Sequence, residues 1–186
     1  MILATLLSAA FYEDEDAWQR GTATGLQEPP LASALFGWAS LFALLSQHLV
    51  YGRRHVTLLA SAGDKVVGCC GLTFEPAPPD VIAATGAREG CDYGLLTGLA
   101  VDPAHRRRGV ASALLAEAGR LGQARLAPPG MLALLVARTN TAALRLYAGQ
   151  GFEEQTSWVD VRWRAEAERG KLGKPRRLLL VRRLPG

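Results

Sequence analysis

The chain has 186 residues, of which 49% are hydrophobic and 20% charged, and its net charge is +4 with a pI near 9.2. This length and composition agree with one compact globular domain. The positive charge favours anionic ligands. A nucleic-acid partner is not expected, because the basic residues are not interleaved with aromatic ones and no zinc-finger or recognition-helix pattern occurs.

The start of the chain is a poor match to a targeting segment, and it leaves the compartment open. Residues 1–10 are apolar but lack a basic region and run directly into the acidic residues 13–16, which is atypical of a signal peptide. An acidic start with few arginines is also atypical of a transit peptide. We expect residues 1–30 to form a poorly ordered N-terminal segment and residues 31–186 to form the single domain.

The segment 31–51 contains no charged residue and is long enough to cross a bilayer. Its polar and small residues, however, fall on one stripe at helical spacing: Ser33, Gly37, Ser40 and Gln47. This pattern favours a helix packed in the core over a membrane span.

The remainder of the chain alternates short apolar runs with turns. Two runs, 56–60 and 65–74, flank the glycine-containing turn 61–64 and predict a hairpin. A long connection rich in Pro and Gly follows at 75–90. The later elements are predicted as strands at 93–101, 131–137, 156–164 and 177–184, and as helices over 110–123 and from Asn140, as N-cap, to Gly151.

A basic turn connects the strand 93–101 to the following helix. Arg106, Arg107 and Arg108 precede Gly109, which lets the backbone approach a ligand without a Cβ in the way. The first turn of a helix carries N–H groups without internal partners and the positive end of the dipole, so this turn suits a pyrophosphate. The glycine spacing matches neither the dinucleotide pattern G-x-G-x-x-G nor the P-loop pattern.

Two spaced motifs resemble the GNAT superfamily of N-acetyltransferases. The first is R-x-x-G-x-A at Arg106, Gly109 and Ala111, preceded by L-x-V-x-P at residues 99–103. The second is V-x-x-x-N-x-x-A-x-x-x-Y at residues 136–147, followed by Gly151-Phe152. The resemblance implies an α/β fold with a mixed, mostly antiparallel central sheet that is flanked by helices and splayed at the acetyl-CoA site.

The same resemblance implies direct acetyl transfer from acetyl-CoA to a primary amine in a ternary complex, without a metal. Tyr147 is the expected general acid for the departing thiolate, and backbone N–H groups near Leu99 are expected to polarise the thioester carbonyl. Read from the residues alone, a helical tyrosine such as Tyr147 is more commonly a core aromatic, and Asn140 is consistent with a helix cap; the family pattern reverses the first of these readings. The residues that the resemblance assigns to the coenzyme are Leu99, Ala100, Val101, Arg106, Arg107, Arg108, Gly109, Val110, Ala111, Ser112, Asn140 and Tyr147.

The general base stays open. Many family members carry a Glu in the strand before the first motif, but residues 95–100 contain no carboxylate. Nearby titratable residues are Glu89, Asp92, Tyr93, His48 and His55, and none is singled out.

Acceptor and compartment also stay open. We expect a protein or peptide α-amine or lysine, with a polyamine or aminoglycoside, or a non-catalytic CoA-binding module, as alternatives. The chain is expected to be a monomer or homodimer without a membrane partner. Three cysteines, two of them adjacent at Cys69 and Cys70, do not form a disulfide framework, so a reducing compartment such as the cytoplasm is expected. Trp158 and the stretch 173–184 resemble the tail of plant and algal plastid GNATs, which makes the chloroplast stroma the alternative address.

Overall fold

The computed structural model describes residues 48–158 and 177–185. The strands are β1 (His55–Ala62), β2 (Lys65–Pro76), β3 (Asp92–Val101), β4 (Met131–Ala137), β5 (Glu153–Trp158) and β6 (Arg177–Arg183). They form a six-stranded sheet in the order β1-β2-β3-β4-β6-β5. β3 and β4 are parallel, and the pairs β1–β2, β4–β6 and β5–β6 are antiparallel. The predicted mixed, mostly antiparallel sheet is therefore confirmed.

The helices are α1 (Pro79–Thr85), α2 (Val110–Arg125) and α3 (Thr141–Gly149), with short 3-10 turns at Gly52–Arg54 and Pro103–His105. The chain divides into two compact units. The described part of the first unit is 48–73 and 98–115, and that of the second unit is 74–97, 116–158 and 177–185.

In the first unit, the predicted hairpin is present. β1 and β2 pair from His55 opposite Thr73 to Ala62 opposite Lys65, with a register shift between Ala60 and Ser61. A Cβ added at Gly68 would lie 2.9 Å from Cγ1 of Val110, the first residue of α2. The absence of a side chain at this position therefore lets the start of α2 lie directly against β2.

In the second unit, both faces of the sheet are covered, and β4 shows how. Successive side chains of a strand point to opposite faces. Met131 and Ala133 are buried in one cluster with Val81 of α1. Leu132 lies on the other face against α2, where a Cβ added at Gly122 would meet it at 3.0 Å.

The connection that the sequence predicts at 75–90 contains a helix. α1 begins with Pro79 in its first turn, and Gly86, which follows its last residue, adopts a left-handed φ of 67°. Proline fits the first turn because its missing N–H would have no partner there, and glycine fits the left-handed end. Nη2 of Arg183 donates to the Thr85 carbonyl at 2.7 Å and fixes the end of α1 to β6.

The other elements follow the prediction with small shifts. β5 begins at Glu153, three residues before the predicted start, and its predicted continuation to residue 164 lies outside the described residues. Of the helix predicted at 31–51, only residues 48–51 are described, and they are helical. Within 48–158 and 177–185, every helix is too short or too polar to span a bilayer.

Candidate active site

Asp102 shapes the turn that follows β3. Its Oδ1 accepts a hydrogen bond from the Ala104 N–H at 2.9 Å and starts the 3-10 turn. Its Oδ2 lies 2.9 Å from Nζ of Lys65 and 3.7 Å from Nδ1 of His105. The hydrogen bond from Lys65, followed by that from Ala104, lowers the pKa of the Asp102 carboxyl. The Asp102 carboxylate is thus ionised, and its contacts with Lys65 and Ala104 fix the shape of the turn.

The arginines of this turn are exposed, but they differ in their contacts. Nε of Arg106 donates to the Val101 carbonyl at 3.2 Å, which ties this side chain to the end of β3. Arg107 has a φ of 61° and Gly109 one of 82°. A left-handed φ is uncommon for a residue with a side chain and costs about 1–3 kcal/mol.

This backbone leads straight into α2. The Ala113 N–H donates to the Gly109 carbonyl at 2.9 Å, so the N–H groups of Val110, Ala111 and Ser112 belong to the first turn, where a helix supplies no internal acceptor. Left-handed residues in a turn make concave arrays of N–H groups that bind anions. The turn therefore combines backbone donors, a helix dipole and arginine charge at one exposed place.

The last residues of β3, just before the turn, have side chains that are buried or half-buried. Ala100 is buried, whereas Leu99 and Val101 are half-buried. Gly98, inside β3, has a φ of 59°, which departs from regular strand geometry. In the second unit, β3 pairs with β4 over Gly94–Leu96, and β4 continues to Ala137 paired with β6.

Asn140 and Tyr147 lie in the second unit, on α3. Oδ1 of Asn140 accepts the Ala143 N–H at 2.9 Å, which confirms the predicted N-cap. Tyr147 is half-buried, and its ring meets the buried Phe152 edge to face at 5.8 Å between centroids. The ring is thus held by packing at the end of α3, before the left-handed Gly151.

A family model for the acetyltransferase (GNAT) family matches residues 10–152, which include both motifs. The chain belongs to the GNAT acetyltransferase family. It is accordingly an N-acetyltransferase, and acetyl-CoA is the co-substrate of the family. No curated protein sequence matches the chain significantly.

Solved structures with this fold come from distant relatives. The ribosomal-protein-S18-alanine N-acetyltransferase of Escherichia coli is 20% identical, with a TM-score of 0.50 over 80% of this chain and 79% of its own. Arabidopsis thaliana NAA60, in complex with a bisubstrate analogue, is 18% identical, with a TM-score of 0.57 over 98% and 94%. The aminoglycoside antibiotic 6'-N-acetyltransferase of Acinetobacter haemolyticus is 23% identical, with a TM-score of 0.52 over 66% and 78%.

The five residues that the sequence leaves as candidates for the general base lie in different environments. Glu89 and Asp92 are exposed. Tyr93 is buried, and its hydroxyl donates to Oε1 of Glu75 at 2.9 Å. The sequence-based search missed Glu75, because its contact with Tyr93 depends on how distant segments meet. His48 is exposed and His55 is buried, and both are hydrogen-bonded to Thr57.

Cys69 and Cys70 are poor candidates for nucleophiles. All three are free thiols. Burial raises the pKa of Cys69 to about 11 and that of Cys70 to about 12, so both thiols stay protonated at neutral pH. Among the described residues, no group of three or more His, Cys, Asp or Glu side chains could hold a metal ion.

Proposed function

We propose that this GNAT N-acetyltransferase transfers the acetyl group directly to a primary amine of a protein or peptide, either an α-amine or a lysine. The observation that best supports binding of acetyl-CoA is the exposed turn before α2, in which Arg107 and Gly109 have a left-handed φ. The proposed protein or peptide acceptor is supported by likeness in fold to the ribosomal-protein-S18-alanine N-acetyltransferase.

In this proposal, the turn binds the diphosphate of acetyl-CoA. Arg107, Arg108 and the N–H groups from Gly109 to Ser112 are its donors, and Arg106 contributes charge while holding the Val101 carbonyl. The backbone of Leu99, Ala100 and Val101 pairs with the amides of the pantetheine arm as an added strand would. Asn140 caps α3, and in this proposal its side-chain amide group also contacts the same arm.

The chemistry then needs a neutral amine, a thioester within attack distance and a proton for the leaving thiolate. The amine lone pair attacks the carbonyl carbon, which the N–H groups near Leu99 polarise. The C–N bond forms, the C–S bond breaks, and Tyr147 gives its proton to the sulfur. An α-amine has a pKa of about 8, so it loses its proton more readily than a lysine, at about 10.4.

A small-molecule acceptor is the second candidate, and likeness in fold to the aminoglycoside 6'-N-acetyltransferase favours it. The experiment that decides is release of free thiol from acetyl-CoA over a panel of peptides, polyamines and aminoglycosides. We expect turnover with peptides that carry a free α-amine or a lysine, and none with lysine-free peptides formylated at the α-amine. Turnover with aminoglycosides or polyamines alone would overturn the proposed acceptor.

A further inference from the structure

Leu135 is an exposed leucine on an inner strand of the sheet. Its side chain is 37% exposed, whereas Leu134 and Val136, its neighbours in β4, are 3% and 6% exposed. The other exposed large hydrophobic residues in the described part of the chain lie in the first unit, before β1 or on β1, which is an edge strand: Leu49, Val50, Tyr51 and Leu59. The exposure of Leu135 therefore marks an opening over the inner part of the sheet.

The opening lies on the face of the sheet that α1 covers. β4 pairs with β6 in continuous register from Met131 to Ala137, and successive side chains of a strand point to opposite faces. Leu135 therefore shares a face with Met131 and Ala133, which are buried in one cluster with Val81 of α1. α1 covers the first half of β4 on this face and leaves Leu135 open.

Leu135 is also the first residue of β4 beyond its pairing with β3. The parallel pairing joins residues 94–96 of β3 to residues 132–134 of β4. β4 continues to Ala137, and β3 continues past residue 96 as well. The two strands therefore stop pairing at the level of Leu135, so this side chain lies where the sheet opens.

The proposed function puts the coenzyme on the other face of the sheet. α2 packs on that face, where a Cβ added at Gly122 would lie 3.0 Å from the Leu132 side chain. The first turn of the same helix is the proposed diphosphate site. Because α2 and the coenzyme then occupy their face, an acceptor amine has to approach the thioester from the α1 face, where Leu135 is exposed.

Leu135 also lies close to the level proposed for the thioester carbonyl, which is that of the N–H groups near Leu99. Leu99 is three residues beyond Leu96 on β3, and Leu135 is one residue beyond Leu134, the partner of Leu96. Counted along the strands, the two levels differ by two residues, which corresponds to about 7 Å. This separation suits the side chain on the carbon next to the amine better than the amine itself.

The strand residues that share this face near Leu135 carry no charge. On β4 they are Ala133 and Ala137, and on β3 they are Leu95, which pairs with Ala133, and Thr97, two residues further on. Leu95 packs against the cluster that α1 covers. The surface next to Leu135 is thus mainly apolar, and it favours an apolar group over a charged one, which would lose its water there.

Charged side chains of the neighbouring strands also disfavour a polycation. On β6, the exposed Arg177 lies opposite Ala137, two residues beyond the level of Leu135. The acidic Glu153 is farther away, on the edge strand β5, and β6 separates it from β4. Polyamines and aminoglycosides carry several ammonium groups, which an arginine repels.

We propose that Leu135 determines acceptor specificity by contacting the side chain next to the acceptor amine, so that peptides with a large apolar first residue are preferred. This rests on the proposed transfer to a peptide α-amine and specifies its substrate. Contact between the two apolar side chains removes both from water, which a small polar first residue cannot match. The bonds that form and break in the transfer are those of the proposed function.

The first test compares acceptors with the wild-type chain. Lysine-free peptides that differ only in their first residue, which is leucine, methionine, glycine or serine, are assayed by release of free thiol from acetyl-CoA. We expect kcat/KM to be about 10-fold or more higher for the leucine and methionine peptides, which is the usual selectivity of an apolar contact of this size. Equal values for all four peptides would overturn the proposal and leave transfer to peptide amines standing.

The second test changes Leu135. In Leu135→Ala, we expect kcat/KM for the leucine peptide to fall about 10-fold, mainly through KM, and that for the serine peptide to change little. The calorimetric Kd for acetyl-CoA should stay at the wild-type value. Leu135→Met keeps an apolar side chain of similar volume and should retain the preference. Leu59→Ala is the matched control, because Leu59 is also an exposed strand leucine but lies on β1 in the first unit.

Thermal melts show whether each variant folds. If folded Leu135→Ala keeps the wild-type preference for the leucine peptide over the serine peptide, Leu135 is excluded while the proposed function remains. If Leu135→Ala fails to fold, Leu135→Gln, of similar size but polar, decides: loss of the preference supports the proposal, and an unchanged preference overturns it. If the wild-type chain acetylates only polyamines or aminoglycosides, or no amine, the proposed function fails and the role of Leu135 fails with it.

Discussion

Tyr147 differs from phenylalanine by one hydroxyl, and in the proposed reaction that hydroxyl gives a proton to the departing thiolate. In Tyr147→Phe we expect kcat to fall by about 10²- to 10⁴-fold. The KM for acetyl-CoA should change little, because the ring can keep its edge-to-face contact with Phe152. Steady-state kinetics check this, with Tyr51→Phe, whose residue is 38% exposed, as control. Undiminished turnover would remove Tyr147 as the acid.

A substitution at Gly109 separates the proposed binding of diphosphate by the turn at residues 106–109 from the effect of backbone strain alone. Its φ is 82°, and a Cβ added there would meet nothing within 4 Å. Gly109→Ala should therefore lower the free energy of unfolding by about 1–2 kcal/mol through strain alone. If the turn binds the diphosphate as proposed, the variant should also weaken acetyl-CoA binding, because the N–H groups from Gly109 to Ser112 must move to relieve that strain.

Gly86 is the matched control for Gly109. Its φ is 67°, and the space around it is equally open, but it ends α1 in the second unit. Gly86→Ala should cost similar stability in thermal melts and leave the calorimetric Kd for acetyl-CoA unchanged. Equal losses of affinity in both variants would show that global stability, not the turn, determines binding.

At the scale of single residues, the sequence was sufficient where a role depends on near neighbours in the chain. The Asn140 cap needs only the Ala143 N–H three residues on. Glu75 beside Tyr93 and Thr73 beside His55 are each eighteen residues apart, and their contacts depend on strand register. Register follows from turn geometry and from which face is buried, and a single sequence constrains it weakly.

At the scale of elements, the position of α2 depends on one glycine in β2. A Cβ added at Gly68 would lie 2.9 Å from Cγ1 of Val110, 3.2 Å from the Ala100 carbonyl oxygen and 3.3 Å from Cδ1 of Leu114. In Gly68→Ala, we expect a loss of stability of about 1–3 kcal/mol from overpacking. We also expect weaker acetyl-CoA binding, because the first turn of α2 is displaced from β2.

Thermal melts and calorimetry on Gly68→Ala measure these two effects. Gly149→Ala is the control, since a Cβ there meets nothing within 4 Å and its φ is not left-handed. A variant that loses stability but keeps the wild-type affinity would mean that the position of α2 does not control the diphosphate site.

The elements themselves were predictable to different degrees. β4 coincides with its predicted bounds, 131–137, because a short, wholly apolar run between turn residues has few other uses. α1 was missed because prolines and glycines dominate residues 75–90, although Pro79 and Gly86 occupy the two helix positions that favour these residues. Local composition obscured the buried face that Val81 provides.

At the scale of the whole molecule, two motifs identified the family, but the sheet order β1-β2-β3-β4-β6-β5 could not be read from periodicity. Hydrophobic spacing predicts that strands exist and which faces they bury, not which strands are neighbours. The resemblance supplied the type of sheet, mixed and mostly antiparallel, but not the order of its strands. Acceptor specificity did not follow from it, because relatives with this fold act on both protein and aminoglycoside amines.

The chain has a net charge of +4, so two features attract the anionic acetyl-CoA: the overall charge and the arginines of the turn at residues 106–109. Two variants distinguish their contributions. Arg108→Gln and Arg120→Gln remove the same charge, but Arg120 lies in the exposed part of α2 and pairs with Glu117 at 2.6 Å. At low salt, we expect Arg108→Gln to weaken binding about tenfold, the value of one charged hydrogen bond, and Arg120→Gln to have little effect. The difference should shrink with added salt, because exposed charges are screened over about 8 Å at 0.15 M. Calorimetric titrations at several salt concentrations measure this, and equal losses in the two variants would mean that overall charge, not the turn, attracts the coenzyme.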